Sequence, residues 1–240
     1  MSGKRTIWVG YDPRPAEVQS FVVARHSIKR RLSQSVPIFG VILSELRERG
    51  LYTRPTEVIN GKLWDTISNA PMSTEFAISR FLVPYLAKEG WALFVDADVM
   101  ALTNVNELFA QADPSKACMV VKHHHEPKHV RKMDGQLQTS YARKNWSSVV
   151  LWNCDHEKTR TLTPAIINGV RGLWLHQFSW LDDEDIGELD PKWNWLVGHS
   201  DPAIAPALVH FTEGVPSMAG YEACDFSAEW WNELRQWAQR

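Results

Sequence analysis

Cysteine is scarce in this 240-residue chain, with only Cys118, Cys154 and Cys224. Odd in number, scattered and lacking metal-ligand spacing, they exclude a disulfide framework and read as buried small apolar residues in a reducing compartment. No apolar run reaches membrane-spanning length, and the first five residues lead into a strand-like segment without the apolar stretch of a signal peptide. The expectation is a cytoplasmic protein without a transmembrane segment. Excess positive charge is missing too. At a net charge of -2 the surface offers no general attraction for a polyanion, which excludes nucleic acid as a partner and leaves any anionic ligand to be held locally. There is no repeat, low-complexity tract or linker, and 240 residues at 44% hydrophobic content suit one α/β domain over 1–240.

What is abundant is tryptophan, with 12 residues, most of which are expected to fill or cover the core. The chain is organised around Trp91 to Met100, an apolar run that finishes in Asp96 and Asp98. A core segment ending in charge reads as a buried strand delivering carboxylates to the rim of a sheet. Residues two apart in an extended chain share a face, so the pair can aim at one point and, with a third ligand, hold a hard divalent cation. The plainer alternative is an acidic strand-to-loop turn with Asp98 as a helix cap.

Around this stretch, Thr6–Val9 and Ile38–Leu43 read as strands and Ala16–Arg31 as the amphipathic helix between them, a βαβ start that places Tyr11 and Asp12 on the ligand rim. Leu46–Asn69 has no sustained period and reads as a short helix followed by irregular chain. Ser73–Ala87 predicts a helix capped by Ser73 or Thr74 and kinked or shortened at Pro84, with Arg80 among its apolar positions needing a partner, a route to solvent, or a phosphate or carboxylate to reach. Asn104–Ala110 reads as a short helix, Ala117–Val121 and Ser147–Trp152 as strands, and Thr163–Val170 as a helix. The polar stretch 122–145, with His123, His124, His125 and His129, reads as a loop rather than a metal centre, because it lacks flanking Cys or H-E-x-x-H spacing. Asp182 to Asp185 are four consecutive acids bounded by Leu181 and Ile186, so some of these carboxylates are expected to face a polar cavity. Trp195–Val197 and Leu208–His210 are short strands, and Ser227 caps a last helix with Phe226 stapled to Trp231.

In order and spacing these pieces resemble the retaining glycosyltransferases of family 8, from Ile7 to about Met218. The resemblance rests on the Gly10-Tyr11-Asp12 strand end, the Ser73–Pro84 helix, Asp96-Ala97-Asp98, Asn145–Ser148, Asp183-Glu184-Asp185, Lys192–Asn194 and His210–Gly214. It implies a GT-A fold, α/β with a Rossmann-like, mostly parallel central sheet and flanking helices. It also implies transfer of a sugar, with retained configuration, from a nucleotide-sugar donor, by family analogy a UDP-sugar, to a glycan, lipid-linked or small-molecule acceptor. By the same resemblance Asp96, Asp98 and His210 hold Mn2+ or Mg2+, while Arg80, with Tyr11, Asp12, Asp96, Asn145 and Gly214, meets the donor. Asp183, Glu184 and Asp185 then supply a carboxylate beneath the sugar. Two departures stand out: Gly214 comes one residue late with no lysine after it, so Lys144 or another basic residue of 122–145 is expected on the diphosphate, and Glu184 stands where the family often has glutamine. Two other readings of the acids are a haloacid-dehalogenase-type phosphatase with Asp96 as nucleophile and a non-catalytic sugar- or metal-binding module.

Overall fold

The computed structural model describes residues 3–123 and 143–240; His124, His125 and His129 of the histidine-bearing tract lie outside them. The chain opens as read: β1 (Arg5–Gly10), α1 (Pro15–Arg31) and β2 (Ile38–Val41) form a βαβ unit in which β1 and β2 run parallel, Gly10 opposite Val41. α1 carries proline and Glu17 in its first turn and Lys29, Arg30 and Arg31 in its last, the arrangement that suits the helix dipole.

After α2 (Leu43–Glu48) comes a departure from the expected irregular chain: β3 (Thr56–Ile59), β4 (Lys62–Asp65) and β5 (Ala70–Pro71) make a small antiparallel sheet. Its hairpin turns at Asn60 and Gly61, both at positive φ (51° and 73°). The Asn-Gly pair, preceded by Val58-Ile59 and followed by Lys62-Leu63, is the sequence signal for this turn, because those two residue types tolerate the left-handed backbone it demands. The helix expected over Ser73–Ala87 is broken into α3 (Phe76–Ser79), a 3-10 turn over Arg80–Leu82 and α4 (Val83–Ala87). Pro84 lies in the first turn of α4, where its missing N–H costs nothing. Neither Ser73 nor Thr74 caps α3; the Glu75 amide donates instead to the Asp12 carboxylate at 2.9 Å.

The remaining elements are β6 (Trp91–Val95), β7 (Val99–Ala101), α5 (Asn106–Phe109), β8 (Cys118–Val120), β9 (Val149–Asn153), α6 (Glu157–Arg160), α7 (Pro164–Gly169), α8 (Gly172–His176), β10 (Ile186–Glu188), β11 (Trp195–Leu196), β12 (Leu208–His210) and α9 (Ser227–Ala238). The main sheet has the order β10-β8-β9-β6-β1-β2 and is parallel except for β9, which runs against β6 and β8. A second sheet, β11-β12-β7, pairs β12 antiparallel to β7 with His210 opposite Val99. That pairing brings a histidine distant in sequence beside the end of β6.

Strand alternation sorts the core onto two faces. Trp8, Phe94, Val150 and Trp152 pack on one side with Phe76, Phe81 and Phe178, while Ile7, Val9, Leu93, Val95 and Leu151 pack on the other with Ile28, Met119 and Trp193. Most tryptophans serve the core as expected: Trp152, Trp193 and Trp230 are fully buried, whereas Trp237 is exposed. Among the described residues no helix is long and apolar enough to cross a membrane.

α9 closes against α1 through one buried carboxylate. Glu233 lies 2.8 Å from His26 Nδ1, 2.8 Å from Arg30 Nη2 and 2.6 Å from Arg31 Nη1. The cap is displaced by one residue: Phe226 occupies it in a left-handed conformation (φ 61°) with its ring on Trp195, and Ser227 is the first helical residue rather than the cap. Burial by itself raises the Glu233 pKa, but the Arg30 and Arg31 hydrogen bonds and charges hold it below the ordinary range. Its stabilising contribution is therefore complete above the unfolded glutamate value and disappears as pH falls through the folded one. Glu233→Ala should cost about 1–3 kcal/mol in urea unfolding, since it leaves buried donors without an acceptor, and the acid side of the stability curve should flatten.

Candidate active site

β6 is buried to Val95, and the chain then turns through Asp96-Ala97-Asp98 into β7. Both flanks of the turn are fixed by backbone hydrogen bonds: Asp96 N donates to Ser148 O at 2.9 Å, and Phe211 N donates to Asp98 O at 3.0 Å. A strand follows Asp98, so it caps no helix. The ligand atoms of Asp96, Asp98 and His210 all lie within 4.8 Å of one another. Asp96 Oδ1 is 2.6 Å from Arg80 Nη1 and Asp98 Oδ1 is 3.3 Å from His210 Nε2, yet neither buried oxygen accepts a well-aligned hydrogen bond. Buried carboxylate oxygens that converge with only these charge contacts to offset them are costly alone and suited to a shared cation. Burial and the neighbouring Asp98 charge push Asp96 up to about 6 against the pull of Arg80. Burial also acts to raise Asp98, but His210 outweighs it and holds Asp98 low; reciprocally, burial acts to lower His210 and Asp98 raises it.

The histidine tautomer follows from its other neighbour. Asn194 Nδ2 donates to Ser148 Oγ (2.9 Å) and Asn145 O (3.3 Å), so Asn194 Oδ1 is the end that faces His210 Nδ1 at 2.9 Å. His210 Nδ1 therefore carries a proton and Nε2 is the nitrogen that faces the acids, so that a cation bound there would take the Nε2 lone pair in place of a second proton, as a metal-ligating histidine requires. The reading of Lys192–Asn194 gave Asn194 no role; its part depends on β12 meeting the 3-10 turn over Pro191–Asn194. Asn194→Ala should lower Mn2+ affinity about 10–100-fold, the usual cost of losing an outer-shell partner, while Asn194→Gln, which can still accept from His210, should lose less; titration with Mn2+ measures both.

Arg80 is buried rather than displayed. Its guanidinium lies 5.2 Å from each of the Phe76 and Phe94 rings, Nε donates to Phe76 O and Nη1 to Ser147 O. From there it steadies Asp96 from beneath. Ser147 Oγ in turn lies 2.8 Å from His176 Nδ1, and the His176 ring sits edge-on to Phe81. Burial and the Arg80 charge push His176 down to about 3, so its imidazole is neutral. His176 had no motif around it, only a place beside Arg80 that folding creates.

Other expected site residues are distributed differently. Tyr11 lies at the end of β1, its ring edge-on to Phe21 at 5.1 Å, and it lines a groove of about 740 Å³ with Phe21, Phe39 and Ile42. Asp12 is buried and fully engaged within the protein, accepting from Arg14 N, Nε and Nη2 and from Glu75 N; a free polar contact from it to a donor is corrected on that ground. Asn145, left-handed at φ 65°, serves the site through its carbonyl. Gly214 borders a cavity of about 290 Å³ with Phe211 and Tyr221, and a Cβ there would stand 2.5 Å from the Tyr221 ring. Lys144 is half-buried. Glu17, which the sequence reading passed over, is raised to about 7 by burial and by the charge of Asp98.

The acidic run is the main correction. β10 pairs with β8 so that Ile186 is level with Cys118, Cys118 with Trp152 and Trp152 with Ala92. Asp183, Glu184 and Asp185 thus sit at the amino-terminal edge of the parallel strands, whereas Asp96 and Asp98 sit at the carboxyl edge, five residues or about 16 Å away along a strand. The run is held there by basic partners: Arg143 on Asp183 at 2.5 Å, Lys158 on Asp182 and Asp185, and Lys116 on the Glu184 carbonyl. These acids stabilise a turn, and none lies beneath a sugar bound at Asp96 and Asp98.

Among solved structures the fold resembles that of a bifunctional glycosyltransferase, WbbM (TM-score 0.63, 13% identity), over all of this chain, which spans about half (52%) of that protein. It also resembles the glycosyltransferase GlyE of Streptococcus pneumoniae TIGR4 (TM-score 0.56, 12% identity, 98% of this chain and 63% of that one). The galactosyltransferase LgtC, in complex with donor and acceptor sugar analogues, matches over 96% of this chain and 95% of its own (TM-score 0.56, 13% identity). At such identities the likeness is one of fold, a mixed α/β GT-A architecture with a mostly parallel central sheet. No protein-family model matches the chain. Protein CDI of Arabidopsis thaliana is 44% identical over 237 residues, covering 96% of this chain and 86% of that protein, and the chain therefore belongs to the Protein CDI family.

Proposed function

We propose that this protein is a metal-dependent glycosyltransferase that moves a sugar, with retained configuration, from a UDP-sugar to a glycan, lipid-linked or small-molecule acceptor. The observation that carries the reading is the convergence of Asp96, Asp98 and an Asn194-oriented His210 at the carboxyl edge of the sheet, the edge where open α/β folds bind ligands. Two carboxylates and one neutral imidazole suit Mn2+, with Mg2+ as the harder alternative. A cation there would offset the charge that develops on the departing diphosphate.

The chain's own groups do the rest. Arg80 fixes Asp96, Asn194 presents the His210 Nε2 lone pair, and Tyr11 offers a ring at the end of β1 for the base. Retention by a covalent intermediate on Glu184 has no support in the position of that residue. Front-face attack, in which the leaving phosphate takes the acceptor's proton, needs no protein nucleophile and fits the groups present.

Thermal unfolding with UDP, GDP and ADP, each with Mn2+ or with chelator, tests the proposal. A ligand at one hundred times its Kd stabilises by about 2.7 kcal/mol, so UDP with Mn2+ should raise Tm clearly and UDP in chelator should not. Equal shifts from all three nucleotides would reject the uridine assignment, and no shift from any would reject a nucleotide site.

A further inference from the structure

We propose that Arg14 is the residue that contacts the donor's phosphate groups, held in place for that task by Asp12; the inference rests on the nucleotide-sugar reading above. The reason to look for such a residue is local. Arg80 is buried against Asp96 and two phenyl rings, and no lysine follows Gly214. A diphosphate bound beside Asp96 and Asp98 would lie among carboxylates, and a divalent ion alone leaves part of its charge unmatched.

Arg14 is positioned to supply that charge. It stands between the end of β1 and the start of α1, and β1 lies next to β6 with Val9 opposite Val95. The loop after Gly10 and the turn at Asp96 therefore leave adjacent strands at the same edge, about 4.8 Å apart at their origin. Glu17, one helical turn further on, lies 3.6 Å from Arg14 Nη2, and the charge of Asp98 is among the causes that raise its pKa.

The guanidinium is held as a rigid fork. Nε and Nη2 donate to the two oxygens of buried Asp12 at 2.8 and 2.9 Å, Nη2 also donates to Ser73 O at 2.7 Å, and the Arg14 amide binds the same carboxylate at 3.0 Å. Asp12 is fixed from its other side by the Glu75 amide. Among the described residues these contacts leave Nη1 without a hydrogen bond, on a side chain that is 57% exposed. A surface arginine normally loses rotamer freedom when it meets a ligand; this one has already been ordered, so the contact to phosphate comes with less entropic loss. Asp12, which on sequence alone was expected to touch the donor, acts through Arg14 as a positioning residue.

Equilibrium binding of UDP, UMP and uridine in the presence of Mn2+ separates the roles. Arg14→Gln should weaken UDP about 10–100-fold, the range for losing a charge-assisted hydrogen bond, and should leave uridine within about twofold. Arg14→Lys keeps a charge for Asp12 but not the fork, so it should fold even if Arg14→Gln does not, and its UDP affinity should fall between wild type and the Gln variant. Asp12→Asn should reproduce part of the UDP loss with uridine again unaffected. Equal loss of UDP and uridine in the Arg14 variants, or wild-type UDP affinity in Arg14→Lys and Asp12→Asn alike, would overturn the proposal. If the wild-type protein binds neither UDP nor uridine, the donor reading itself fails, and that result is distinct from failure of Arg14 in a protein that binds UDP.

Discussion

Asp98→Ala is expected to lower metal-dependent turnover by about 10³-fold or more, because an inner metal ligand carries several kcal/mol of transition-state stabilisation and each 1.4 kcal/mol is a factor of ten. The same substitution should leave the metal-free fold intact. The turn at Asp98 is held through its carbonyl, which accepts from Phe211 N, and that bond needs no carboxylate. Deleting Asp98 also removes the negative neighbour that helps raise Asp96, so the pKa of Asp96 should fall toward its ordinary value and that of His210 should fall with the loss of its charge partner. The ligand-free Tm should then be unchanged or slightly higher, while the shift given by UDP with Mn2+ vanishes. Full activity of Asp98→Ala in chelator would reject the metal site.

The largest expected effect on stability lies away from the site, at Asp65. Arg54 is wholly buried and forms a forked pair with Asp65, its Nε 3.0 Å from Oδ1 and its Nη2 on Oδ2, while Nη1 donates to Ile167 O and Val170 O. These bonds tie the β3-β4-β5 sheet to α7. Asp65→Ala leaves an uncompensated buried guanidinium and should cost about 3–5 kcal/mol in denaturant unfolding. Burial by itself would raise the Asp65 pKa, but the hydrogen bonds from Arg54 and Ser68 hold it below the ordinary carboxylate value. The pair's contribution is thus complete above that value and is lost as pH falls through the folded one. The wild type should lose stability in acid more steeply than Asp65→Ala, and parallel acid curves would count against the pair as the anchor.

Much of the fold was written in local patterns. The opening βαβ unit, the buried strand ending at Asp96 and the strands around Cys118 and Val149 are each set by residues adjacent in sequence, since period and punctuation are local properties. The pairing of Asp96 and Asp98 was legible for the same reason, two residues apart on one strand end. Asn60-Gly61 carried its hairpin signal as well, hidden by the weak apolar content around it.

The sequence by itself therefore determined which strand ends in the acid pair and that a sheet of mostly parallel strands would carry it. Only the tertiary structure decided what surrounds the pair. β12 must meet β7 before His210 reaches Asp98, and the turn over Pro191–Asn194 must meet His210 before its tautomer is fixed. Whether Arg80 faces a ligand or sinks beneath Asp96, and whether Asp12 is free or bound to Arg14, depends on contacts made across the sheet edge. The acidic run shows the limit most clearly, because its composition is the same at either end of a strand. The register of β10 on β8 places it at the edge away from the site, and register is set by partners that no local pattern contains.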